Sequence, residues 1–78
     1  MAAFEPLVAL YAKATSEAES DARKSAATEL AEAIKGQGVA TIMSMALPAK
    51  VMASLAEAKN VAAREGAVFV VHELHKAL

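Results

Sequence analysis

The chain has 78 residues, with 8 Lys and Arg against 9 Asp and Glu and a formal charge of −1. Near-neutrality argues against a nucleic-acid binder of the usual strongly basic type, leaving only a local patch open. The absence of cysteine excludes disulfides, thiol chemistry and Cys-based zinc sites. The hydrophobic share of 56% is largely alanine, 21 residues of it, so one small helical domain with a thin core is expected.

The N-terminus lacks a basic start followed by an apolar run, so no secretory signal is read there. A first helix is expected from Pro6, a good first-turn residue, to about Thr15, with Leu7, Leu10, Tyr11 and Ala14 on one face. Ser16-x-x-Glu19 has the form of a capping box and opens a second helix. There Ala27, Leu30, Ala31 and Ile34 follow helical spacing, with Ala22 and Ala26 extending the stripe backward. Glu19 and Arg23 form an i,i+4 pair expected on the wet side. Lys35, Gly36 and Gly38 are a stop signal.

A short third segment keeps Val39, Ile42, Met43 and Ala46 at helical spacing until the Leu47-Pro48 step breaks it. The stretch from Gly36 to Ala49 carries no charge over fourteen residues. It is too short to span a bilayer, is interrupted by Pro48, and reads as a buried segment of a cytoplasmic protein. A fourth helix is expected from Pro48 to about Lys59 with Val51, Met52 and Leu55 inward. Asn60 is the N-cap of a fifth. Its inward set is Ala67, Val70, Val71, Leu74 and Leu78. Gly66 to Val71 has strand composition, but its flanks are helical and no second strand exists to pair with it.

A shift of 41 residues superposes the second helix on the fifth. Ala22-Arg23 falls on Ala63-Arg64, Ala26 on Ala67, Glu32 on Glu73 and Lys35 on Lys76. Leu30 meets Val71, Ala33 meets Leu74, Leu10 meets Val51 and Tyr11 meets Met52. Helix pairs repeating at about 40 residues have the period of HEAT and armadillo arrays. The expected fold is all-α. It holds two stacked HEAT-like antiparallel helix pairs, repeat 1 over about 4–36 and repeat 2 over about 39–78, joined by a short linking helix. The alanines recur where stacked helices must approach closely, and Leu74 and Leu78 leave apolar surface for a further repeat of a longer array.

Leu47-Pro48-Ala49 through Leu55, followed by Ala63-Arg64-Glu65-Gly66-Ala67 to Leu74, resembles the HEAT pattern of a proline-started helix before one with an early arginine. Together with Leu7, Leu10 and Ala26-Ala27-Thr28-Glu29-Leu30-Ala31, it makes the chain similar to the N-terminal HEAT region of fungal-type translation elongation factor 3. One departure is visible. The Asp usual in the HEAT turn is replaced by Glu17 in the first repeat and Ala58 in the second. The resemblance implies a scaffold and ribosome-contact segment of a cytosolic ABC-class ATPase that promotes exit-site tRNA release. Gly36-Gln37-Gly38 lacks the GxxxxGK[ST] spacing that wraps phosphates, so no nucleotide cofactor is expected in this segment. The alternative is a HEAT or armadillo module of an unrelated adaptor that binds a protein helix. A free-standing helical regulator would explain Met1 but not the repeat.

Candidate sites are few. His72 and His75 share a helix face at i,i+3, one residue short of His-Glu-x-x-His and without a third ligand, so no metal site is expected. No Ser-His-Asp, Cys-His or paired-carboxylate arrangement stands out, and no catalytic residue is assigned. Arg23 and Arg64 read first as structural links between turns, with phosphate binding at Arg64 the lesser reading. The lysines form a solvated face interleaved with glutamates. For a ribosome or partner contact, Lys35, Lys59 and Arg64 are the best candidates. Met43, Met45 and Met52 read as core filling, with a flexible partner groove as the minority view.

Overall fold

Punctuation in the sequence sets where the helices of the computed structural model begin and end. The structure describes residues 5–57 and 59–78. It contains α1 (Glu5–Ser16), α2 (Ser20–Gln37), α3 (Ala40–Ser44), α4 (Leu47–Leu55) and α5 (Val61–Ala77). Among the described residues there is no strand, and Gly66 to Val71 is helical. No helix among them is long and apolar enough to cross a membrane. Ala58, expected at the position of the HEAT-turn Asp, lies outside the described residues.

Three termini follow simple capping chemistry. Gly38 ends α2 at φ 107°, a left-handed region open to glycine, and its N–H donates to the Ile34 carbonyl. Asn60 caps α5, its Oδ1 accepting from the Ala63 N–H at 3.0 Å. Pro48 sits in the first turn of α4, where its missing N–H costs nothing. The expected capping box at Ser16 does not form. α1 runs one residue further than anticipated, so Ser16 lies in its last turn and its hydroxyl donates back to the Ala12 carbonyl at 2.6 Å. Glu19 takes the N-cap position of α2 without a side-chain cap. The third segment is also shorter than expected: α3 stops at Ser44, and Ala46 turns left-handed at φ 55° to redirect the chain into α4.

α1 runs antiparallel to α2, and α5 lies along both. The start of α5 meets the end of α1 at Gly66 and Ala14 and the start of α2 at Glu65 and Arg23, so α2 and α5 run parallel. α4 packs more lightly on α5. Its link to α1 is the long reach of Tyr11, whose hydroxyl donates to the Lys50 carbonyl at 3.1 Å and lies 2.7 Å from Ser54 Oγ. α1, α2 and α5 therefore make the core, with α3 and α4 folded onto its flank.

Leu7, Leu30, Ile34, Leu47 and Val70 are the largest fully buried side chains, each contributing about 1.5–3 kcal/mol by leaving water. Ala14, Ala26, Ala27 and Ala67 fill the crossings between them, where a larger residue would hold the helices apart. The inward set expected for the first two helices is buried as a stripe, with Leu10 and Ala22 half-covered. The later segments differ. Thr41 and Met45 are buried while Val39 and Met43 are exposed, because α3 is a single turn that rolls its expected apolar edge outward. On α4, Leu47 and Ser54 face inward, whereas Met52 and Leu55 do not. On α5, Val71 and Leu78 are exposed as well, since no helix covers that side.

Candidate functional site

Arg23, expected on the wet side with Glu19, is buried. One terminal nitrogen donates to the Glu17 carbonyl at 2.7 Å and the Ala18 carbonyl at 3.1 Å, and the other meets Glu65 of α5. Ser20 Oγ donates to the same Glu65 oxygen at 3.1 Å. These bonds, chiefly the one from Arg23 and then that from Ser20, hold the Glu65 carboxyl below its ordinary value of 4.5. Arg23 thus ties the α1–α2 turn to the next long helix, the structural role expected of it. It bonds the Glu17 backbone carbonyl, not the Glu17 side chain.

The 41-residue shift shows what lies on the far side of α4 and α5. Ala27 and Leu30 are 0% exposed, and their counterparts Val68 and Val71 are 56% and 49% exposed. Tyr11 is 6% exposed and Met52 69%; Ala14 is 0% and Leu55 44%. In each case the first residue is buried and the second is apolar and exposed; for Tyr11 and Ala14 the cover comes from α4 and α5. Where the apolar residue is not retained, Ala31 and Ile34 are replaced by the exposed imidazoles of His72 and His75.

Between α4 and α5 this uncovered face dips into a groove of about 290 Å³ lined by Ile42, Leu47, Pro48, Val51, Met52, Val71 and Leu74. Every lining residue is apolar. The groove is open and at the small end of the about 300–1,000 Å³ usual for small-molecule sites. It suits a row of side chains from a neighbouring helix. Met52 lies in it and is exposed, so it does not fill the core as expected. Met45 is core, and Met43 is exposed outside the groove. By contrast the shallow depression on α2 is lined by Asp21, Lys24, Ser25, Thr28 and Glu29, a solvated face of mixed sign.

The three residues expected at a partner contact do not form one patch. Lys59 and Arg64 are exposed at the start of α5. Lys35 is exposed in the last turn of α2, at the other end of the parallel pair and about 18 Å along the axis from Arg23. Arg64 does not repeat the role of Arg23. It makes no ion pair among the described residues, because nothing packs on the side of α5 that it occupies. His72 and His75 are exposed, and no group of three or more His, Cys, Asp or Glu among the described residues could hold a metal. The signal that sequence reasoning missed is the second apolar stripe of α5, Val68 with Val71 and Leu78, which was merged with the buried stripe beside it.

No protein-family model, curated protein or solved structure matches the chain.

Proposed function

We propose that this chain is a non-catalytic helical-repeat scaffold segment of HEAT type, whose α4–α5 face seats another helix or helix pair. The observation that carries the reading is the covered-to-uncovered correspondence at a shift of 41 residues: Ala14, Ala27, Leu30 and Tyr11 are buried within the helix packing, whereas Leu55, Val68, Val71 and Met52 keep apolar surface in water. Apolar residues clustered around a groove mark interaction sites on soluble proteins. A repeat stacks by presenting to its neighbour the face that it covers on the one before. The parallel course of α2 and α5 supports the same reading.

Calorimetric titration with an amphipathic helical peptide bearing a leucine stripe tests this. Wild-type chain should bind it, and Met52→Asp with Val71→Asp should abolish binding while leaving thermal unfolding within a few degrees. A wild-type chain that binds no such peptide contradicts the reading.

The narrower form is a ribosome-contact segment of an elongation-factor-3-like ATPase. It is favoured by the motif resemblance and by Lys59 and Arg64 standing exposed at one end of α5. Co-sedimentation with ribosomes that weakens with salt and with Lys59→Glu supports that form. Absence of co-sedimentation at low salt leaves the adaptor reading in its place.

A further inference from the structure

We infer that Arg64 selects the partner by taking a carboxylate near the N-terminus of a helix that packs parallel to α5. The inference rests on the proposed function of the α4–α5 face. Its template lies within the chain: Arg23 of α2 is met by Glu65, in the second turn of the parallel helix α5. Arg64 stands 41 residues later at the same place on its own helix, exposed and without an ion-pair partner among the described residues.

Its surroundings are suited to an acidic visitor. Arg64, Val68, Val71, His75 and Leu78 step along the exposed side of α5 at i, i+4, i+7, i+11 and i+14, one helical stripe. The two carboxylates of α5 itself are engaged, Glu65 being turned to Arg23 and Ser20 and Glu73 being buried, while Glu57 is exposed in the turn before the helix. The exposed surface of α1 and α2, in contrast, carries Glu5, Glu19, Asp21, Glu29 and Glu32 among three lysines. On the exposed side of α5, positive charge and apolar surface coincide. A fork-shaped guanidinium holds a carboxylate with geometry that an ammonium lacks, which fits a register-setting role.

Four versions of one leucine-striped helical peptide test this. They carry Glu, Gln or Lys in the second turn, or Glu moved to the last turn. At low salt the second-turn Glu peptide should bind about fivefold more tightly than the Gln peptide, and the Lys peptide more weakly still. The last-turn Glu peptide should gain nothing. The Glu-over-Gln preference should disappear in Arg64→Gln and shrink as salt is raised. Equal binding of all four overturns the role of Arg64 while leaving the groove reading standing. So does a preference that survives Arg64→Gln. Failure of every peptide to bind overturns both.

Discussion

The carbonyl of Ala14 occupies the space that a side chain at Gly66 would need, and the neighbouring Thr15 backbone closes it further. Helices α1 and α5 cross there backbone against backbone. A glycine in the middle of α5 costs about 1 kcal/mol of helix propensity; the close approach that it permits offsets this.

Gly66→Ala should therefore destabilise the fold by about 3 kcal/mol, the upper end for overpacking, because the obstructing atoms are backbone and cannot swing aside. Gly36, inside α2 with open space around it, gives the opposite expectation. Gly36→Ala should raise stability by about 0.5–1 kcal/mol. Thermal or denaturant unfolding of the two variants checks both signs.

Tyr11 is the single tyrosine. Burial pushes its hydroxyl above the ordinary 10.0; the bond with Ser54 opposes the shift and the Glu57 carboxylate adds to it. The folded chain should hold its phenol neutral at a pH where a free tyrosine ionises. Stability contributed by the neutral phenol is then complete below pH 10.0 and lost as pH rises through the folded value. Phenolate absorbance during an alkaline titration reads this directly. Tyr11→Phe removes the bonds to Lys50 and Ser54 and should cost about 1–2 kcal/mol, loosening α4 from α1.

Acid should act through Glu65. Its folded carboxyl titrates below the ordinary 4.5 because Arg23 and Ser20 bind the ionised form. The stabilisation is present above pH 4.5 and disappears as pH falls through the folded value. Glu65→Gln should flatten stability against pH in that window. Arg23→Ala should lower stability by about 2 kcal/mol at neutral pH, since it strips the Glu17 and Ala18 carbonyls of their donor. Chemical denaturation at several pH values measures both effects.

The helices were legible because Pro6, Gly38, Pro48 and Asn60 are local signals, needing only their own backbone to act. The α1–α2 core was legible for a related reason: Leu7, Tyr11, Leu30 and Ile34 lie on the one apolar face of each helix. The groove was not. Periodicity says which residues share a face but not which face has a neighbour, and α5 has two adjoining apolar stripes, Ala63–Ala67–Val70 and Val68–Val71–Leu78. The clasp was missed because the i,i+4 spacing of Glu19 and Arg23 offered a local partner, whereas Glu65 lies 42 residues away.

Methionine methyl resonances offer the sharpest test of the α4–α5 face, since Met52 lines the groove, Met43 is equally exposed outside it and Met45 is core. On titration with a leucine-striped helical peptide, the Met52 signal should shift and saturate while Met43 and Met45 stay in place. A Met43 signal that moves as far as Met52, or a Met52 signal that does not move at all, would contradict the account.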